Sequence, residues 1–542
     1  MFFRLKPTLN TPTGIGSAVL LGALALRCVS NDRTGAGTQG DGGCLMGCAS
    51  GTTGASGAIG GSAGARGDGG SPTTGTGGAG SGGTSSAGSD AATEGGGSSG
   101  FVFPLKASAN GRYLVDQKGT PFRIHADSAW SLIANLTPAE VDTYLADRKS
   151  RGFNTLLVSL IERKFAVQAP RNRAGDYPFV AHNFGSYDFT TPYEPYFTHA
   201  DSVIDKIAAS GMVVMLDVMY TAKDDDGNEG WWKELTNATN TPAKCYAYGQ
   251  ILGKRWKNRA NLVWIFGGDY TPPAGSEGET RLLQIHKGLR DAGATQLASA
   301  HIFSWLSSDW TAFAPFVQIN GIYASGPDIY QAGTGAYART PATPVFLFEP
   351  GYEAEEWHPG DPASIRSYEW WGQLSSIGGV FYGHRDVWEF STDSWSSGYP
   401  FSGSQRWQLS LDTPGSRAMK YMADLLSTLP WYNLVPSGRG GMKTLVIGGG
   451  GSSGGNDYVT AAAASDGKGL IAYLPPSGAA NRSITIDMTV MSASSAARWW
   501  DPANGTSSPI AGTIANTGPH AFTAPGNNSA AAHDWVLVVT AP

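Results

Sequence analysis

Charge is scarce in this chain. Only 15% of its 542 residues are Asp, Glu, Lys or Arg, and the net charge is −6. No basic tract occurs, so nothing in the electrostatics argues for nucleic acid as a partner. No apolar run is long enough to span a bilayer: Gly14 to Leu26, preceded by Arg4 and Lys6, has instead the form of a secretory signal within residues 1–30. The expected location is therefore outside the cell or tethered at its surface. In Ala25-Leu26-Arg27-Cys28 the Leu is misplaced for a lipid-attachment signal and an Arg abuts the Cys, so cleavage and release is the leading reading and a lipid anchor the alternative. Cysteine is limited to Cys28, Cys44, Cys48 and Cys245. Cys44 and Cys48 suit a small disulfide loop or a second attachment point, and no further Cys/His pair lies near enough to complete a metal site. Cys245, in a helical pattern, is expected to be a buried or idle thiol.

Aromatic residues are absent between Phe3 and Phe101, and 26 of the 74 glycines fall in residues 31–100. Such a segment buries no apolar surface to offset a backbone ordering cost of roughly 1 to 2 kcal/mol per residue, so it is expected to be a disordered tether. Beyond it the composition reverses. Aromatics make up 11% of the chain, with 17 Trp, and exposed aromatic rings stack on sugars or bases; with an acidic balance, sugar is the better fit.

From residue 101 to 429, apolar runs alternate with amphipathic stretches. The runs are Phe122 to Ala126, Thr155 to Ile161, Val213 to Met219, Leu262 to Phe266, Leu297 to Phe303, Ile319 to Tyr323, Val345 to Phe348 and Gly379 to Tyr382. Helices are expected at Thr137 to Arg151, Tyr193 to Ser210, Pro242 to Asn258, Glu277 to Ala292, Ile365 to Ser376 and Pro414 to Thr428. The first carries a capping box, Thr137 with Glu140, and Pro138 at its first helical position. Eight strands alternating with helices predict an α/β fold, a (β/α)8 TIM barrel. No Gly-rich phosphate loop follows the first strand, which argues against a nucleotide site. From residue 430 to 542, short alternating runs parted by Gly, Asn, Ser and Pro predict a small all-β antiparallel sandwich.

Two apolar strands run straight into a carboxylate, Leu262 to Asp269 and Val345 to Glu349. All strand C-termini of a barrel open on one face, where a paired acid and nucleophile suit glycosidic bond cleavage. Asp269 is the candidate general acid/base, with Trp264 and Phe266 as the expected source of its desolvation, and Glu349 the candidate nucleophile. The alternative is that Asp269 caps a loop and Glu349 pairs with an Arg. The acidic run Asp224-Asp225-Asp226-Gly227-Asn228-Glu229 fails the EF-hand register, which would put Ala222 at its first position and Lys233 at its twelfth, and reads as a solvated loop near the pocket mouth.

Phe122-Arg123-Ile124-His125-Ala126-Asp127-Ser128-Ala129-Trp130, Trp264-Ile265-Phe266-Gly267-Gly268-Asp269, Phe348-Glu349-Pro350-Gly351-Tyr352-Glu353 and Tyr382-Gly383-His384-Arg385-Asp386-Val387-Trp388, in that order, resemble the apiosidase-like family of glycoside hydrolases. The trailing part, with Arg498-Trp499-Trp500-Asp501-Pro502, resembles the small β-sandwich with a collagen-binding label that often follows this barrel. The resemblance implies a TIM barrel with an Asp acid/base and a Glu nucleophile, matching Asp269 and Glu349. Many related barrels carry Asn-Glu where this chain has Gly268-Asp269, which leaves the role of that Asn unassigned. Asp127, Trp130, Tyr352, Glu353, His384, Arg385 and Trp388 are candidate sugar ligands, and His301 and Tyr323, ending strands five and six, are candidates to line the site or orient the nucleophile. The expected partner is a polysaccharide or oligosaccharide, with no cofactor or metal implied. A second reading is a barrel without chemistry that binds glycan or matrix. Which sugar is cut rests on the long loops Glu162 to Tyr196 and Lys223 to Thr241.

Overall fold

The computed structural model describes residues 100–542 other than 223–228, 305, 311–312, 357–358 and 399–401. The signal-like segment, residues 31–99 of the tether with Cys44 and Cys48, Cys28, and Asp224 to Asn228 lie outside the described residues.

Eight parallel strands carry the first part: β1 (Ile124–Ser128), β2 (Thr155–Ser159), β3 (Val213–Tyr220), β4 (Leu262–Gly267), β5 (Ala298–His301), β6 (Asn320–Tyr323), β7 (Val345–Glu349) and β8 (Ile377–Tyr382). Their order is β5-β4-β3-β2-β1-β8-β7-β6, so the first and last strands of the ladder are neighbours in sequence. The seam between β5 and β6 is stitched rather than laddered. Gln318 N–H donates to Ala298 O at 2.9 Å, and the Ser308 hydroxyl donates to Ala300 O at 2.6 Å while accepting from Gly321 N–H at 3.0 Å. Every strand is buried on both faces, which is why each reads as a continuous apolar run rather than an alternating one. Alternate residues nonetheless part company: Leu157, Val213, Met215, Val263, Ile265, Phe346 and Phe348 fill the barrel, whereas Leu156, Val158, Val214, Leu216, Trp264 and Phe266 pack outward on helices.

The longer helices are α1 (Pro138–Ser150), α2 (Glu194–Ala209), α3 (Pro242–Trp256), α4 (Glu277–Asp291), α5 (Asp328–Tyr337), α6 (Pro362–Ser376) and α7 (Pro414–Ser427). The Thr137–Glu140 capping box forms, with Thr137 N–H on the Glu140 carboxylate at 2.9 Å. Cys245 is a buried free thiol in α3. No helix among the described residues is long and apolar enough to cross a membrane.

The second part has a six-stranded antiparallel sheet, containing β9 (Leu434–Pro436), β11 (Thr460–Ala464), β12 (Gly469–Leu474), β14 (Ser495–Trp500), β15 (Ser507–Ile514) and β17 (Trp535–Thr540). Facing it is a three-stranded sheet of β10 (Val446–Gly448), β13 (Ser483–Asp487) and β16 (Pro519–Thr523). One face of the larger sheet shares a core with the smaller one through Leu470, Ala472, Ile484, Ile486 and Phe522. Its other face shares a core with the barrel: Ile471, Tyr473, Val536 and Val538 cluster with Trp370 and Trp371 of α6 and with Leu347 and Val380 of β7 and β8. Across that junction Arg366 makes two bonds to Asp534, at 2.6 and 2.8 Å, with both side chains buried.

Candidate active site

The strand ends bring Asp269, His301 and Glu349 together; one carboxylate oxygen of each acid and one His301 ring nitrogen all lie within 4.8 Å of one another. Two irregularities produce this. In β7 the register with β6 slips between Leu347 and Glu349, so Glu349 faces Tyr323 instead of continuing the outward row of Leu347. Such a bulge re-aims a side chain, and here it turns the carboxylate inward. At the end of β4 the chain passes Gly267 and Gly268 at φ +105° and +131°, which favour glycine. A Cβ on Gly267 would lie 2.1 Å from His301 O, and one on Gly268 2.5 Å from the Tyr220 ring. Neighbouring backbone and ring thus fill the space that a side chain at Gly267 or Gly268 would need.

His301 is fully buried between the acids. Its Nδ1 accepts the Asp269 N–H at 3.3 Å, and its Nε2 bonds to Glu349 Oε2, which leaves the ring proton on Nε2. Burial opposes a second proton most strongly, but Glu349, Asp269 and Asp217 together outweigh it and raise the His301 pKa; that proton, on Nδ1, would meet Asp269 Oδ1 at 3.4 Å. The other Glu349 oxygen accepts the Tyr352 hydroxyl at 2.5 Å, and Tyr352 in turn accepts from Trp130 Nε1 at 3.1 Å. Both carboxylate oxygens of Glu349 are therefore held. Asp269 is pushed up to about 7, first by burial and then by the charge of Glu349. Its Oδ1 is shut away from solvent while the side chain as a whole stays 35% exposed, so the carboxyl is desolvated on one side and reachable on the other. The three groups have the donor set for a divalent cation, but both His301 nitrogens are committed, and an ion would have to displace those bonds.

Of the expected ligands, Trp130, Tyr323 and Tyr352 do surround the pair. Trp130 meets His301 edge to face at 5.1 Å, and Tyr323 lies 5.0 Å from the same ring. His301 contacts carboxylates rather than solvent, so it orients. Asp127, expected among the sugar ligands, lies away from the pair: on β1 it points outward to α1, where Tyr144 OH and Arg148 Nε each reach it at 2.5 Å with no exposure left. Glu353 is likewise consumed inside the fold, by Tyr382 OH at 2.5 Å, Thr413 Oγ1 at 2.6 Å and Gly415 N–H at 2.9 Å. His384 is buried and accepts the Asp386 N–H at 3.0 Å, a loop-building contact. Trp388 packs edge to face on Phe165 at 5.0 Å, a buried wall rather than an open platform. Arg385 is partly open and donates to Ser404 Oγ at 2.7 Å. Trp264 and Phe266 face the helices, with Trp264 Nε1 on Gln296 at 3.1 Å; the rings beside the acids are those of Tyr220 and Trp130, which meet at 5.4 Å.

Two carboxylates escaped the sequence reading as site residues. Glu229, the last of the acidic run, is buried, and its charge adds to the upward push on Asp269. Asp217 sits inside the barrel on β3, fully buried, with Oδ1 taking the Met219 N–H at 3.0 Å and Oδ2 without a hydrogen-bond partner among the described residues. Burial raises it to about 8. A lone Asp within Val-Val-Met-Leu-Asp-Val-Met-Tyr was the available signal.

Comparison with known proteins completes the picture. The family model for the apiosidase-like catalytic domain matches residues 108–433, and one labelled as a collagen-binding domain of a collagenase matches residues 445–540. No curated protein matches the chain. Among solved structures, one titled glycoside hydrolase aligns with a TM-score of 0.67 at 22% identity, over 80% of this chain and 96% of that one. A glycoside hydrolase family 5 protein from Bacteroides vulgatus aligns with the same TM-score and identity, over 80% of this chain and 93% of its own. At such identity these two show a shared fold, whereas the family model covers well over half of the chain. The chain belongs to the apiosidase-like family of glycoside hydrolases.

Proposed function

We propose that the protein is a retaining glycoside hydrolase of plant or microbial polysaccharide, with Glu349 as nucleophile and Asp269 as general acid/base, and that it releases a branching sugar such as apiose or arabinofuranose. The observation that carries this is the spacing: carboxylate oxygens of Asp269 and Glu349 within 4.8 Å leave no room for a water between the second carboxylate, Glu349, and the anomeric carbon, as inversion at roughly 6.5 to 9.5 Å would need.

Glu349, held at both oxygens by His301 and Tyr352, attacks the anomeric carbon. The Asp269 proton passes to the departing glycosidic oxygen as that bond breaks. Forming the glycosyl ester removes the negative charge of Glu349, the second cause of the raised Asp269 pKa, so the spent acid becomes a carboxylate fit to take a proton from water. Water attack on the ester then frees the sugar with its configuration kept. The apolar Gly14 to Leu26 segment after Arg4 and Lys6 supports export as the route to such a substrate.

The test is Glu349→Gln on a panel of purified cell-wall polysaccharides with product analysis. Activity should fall at least about ten-thousandfold. Full activity in the variant, or inversion at the anomeric centre in the wild type, would sink the assignment.

A further inference from the structure

Aromatic side chains cluster on the Asp269 side of the mouth. Tyr270 follows Asp269 directly and meets the Trp232 ring edge to face at 4.6 Å. Trp232 opens the short helix Trp232–Thr236, and its neighbour Lys233 places Nζ 5.4 Å from the centre of the Phe184 ring. Phe184 belongs to the long loop between β2 and α2, which leaves the same strand-end face of the barrel. It is 55% exposed. The Arg163 guanidinium lies 4.3 Å from its ring centre, and the next residue is pinned: Gly185 N–H donates to Glu234 Oε1 at 2.7 Å, and Asn237 Nδ2 to Gly185 O at 3.2 Å. A single exposed apolar side chain is ordinary. One braced by two cations, beside the short helix whose Trp232 meets the ring next to a catalytic acid, calls for a ligand.

We propose that Tyr270, Trp232 and Phe184 bind the glycan chain on the leaving-group side of the bond that is cut. The inference rests on Asp269 being the general acid. A general acid must reach the oxygen that departs, so the chain carried off by that oxygen lies on its side of the cleft, while the sugar attacked by Glu349 sits over the pair. Sugar rings present C–H faces that stack on aromatic rings, and such stacking tolerates variation in hydroxyl pattern. Arg163 and Lys233 hold Phe184 in place before the substrate arrives, so little freedom is lost on binding. The strip therefore grips a polymer backbone, and the pocket over the carboxylates selects the sugar that is removed.

The experiment uses the full chain as Glu349→Gln, which binds without turnover, in affinity gels cast with arabinan, galactan, xylan or pectic galacturonan. At least one polysaccharide should retard it. Adding Phe184→Ala should weaken that retardation roughly tenfold. Adding Ile447→Ala, which removes an equally exposed side chain from the sandwich, should leave it unchanged. Equal retardation with and without Phe184, or an equal loss in the Ile447 variant, overturns the strip and leaves the catalytic assignment standing. If no polysaccharide retards the Glu349→Gln protein and the wild type cleaves none, the glycosidase reading falls and the strip with it. The melting temperature of each variant is followed to exclude unfolding.

Discussion

Replacing Asp217 by Asn should stabilise the protein, and more so as the pH rises. The side chain is fully buried inside the barrel, and burial lifts its pKa from 3.8 to about 8, with His301, Glu162 and Asp269 as its charged neighbours. A carboxyl whose pKa is raised on folding favours the folded state fully only below its unfolded pKa. As the pH climbs from about 4 to about 8, the unfolded chain gains by ionising Asp217 and the folded protein does not, at about 1.4 kcal/mol per pH unit. Asn keeps the shape of the protonated acid and can still accept the Met219 N–H, and its amide enters a spot where Oδ2 already lacks a partner among the described residues. Between pH 5 and pH 8 the upper limit on the gain is about 4 kcal/mol. Relaxation and water entry reduce this, and about 1 to 3 kcal/mol more stabilisation at pH 8 than at pH 5 is the expected result. Urea unfolding followed by tryptophan fluorescence at the two pH values measures it. A difference between variant and wild type that does not change with pH, or a variant less stable at pH 8, would refute the reasoning.

The pH–rate profile should show kcat/KM falling above about pH 7 as Asp269 loses its proton, and Asp269→Asn should remove that limb while sparing substrates with good leaving groups far more than natural ones. Gly268→Ala puts a Cβ 2.5 Å from the Tyr220 ring and 2.8 Å from Thr221 N at a backbone angle of +131°, so it should lose about 2 kcal/mol or more of stability and most of its activity, read from thermal midpoint and kcat. Arg366→Met leaves Asp534 buried with its charge uncompensated and should cost about 3 to 5 kcal/mol in urea unfolding, whereas Arg366→Met with Asp534→Leu should recover much of it.

Much of the barrel was legible because strands buried on both faces leave a plain trace. Leu262 to Phe266 became β4, and the capping box at Thr137 opened α1 at Pro138. Helix α5 was missed because Gly333 and Gly335 depress its helical character, yet a Cβ at Gly333 would lie 2.2 Å from Ser375 Oγ, so the glycine permits close packing on α6. Strands β15 and β16 leave little trace in the sequence because they are largely exposed and bury few apolar residues. At the site, Asp269 and Glu349 could be read from strand ends, but the direction of a side chain on a doubly buried strand could not. Asp127 and Asp217 both interrupt apolar strands, and only the ladder reveals that one faces α1 and the other the barrel interior. The slip in β7 that turns Glu349 inward depends on pairing between distant segments and has no local signature.

Helix α6 has an unusual position for an element of an outer ring. It links the strand that bears Glu349 to the closing strand β8, and its far side, through Trp370 and Trp371, forms one core with the sheet that follows. An appended sugar-binding module on a flexible leash can be cut off or exchanged between enzymes with little harm. Here the trailing domain is the roof over a barrel helix, and an enzyme shortened after Ser427 would expose those tryptophans to water and leave Arg366 with no counter-charge from Asp534. The two parts should then unfold in one transition in calorimetry, with the sandwich holding α6, and the two strands it joins, in place.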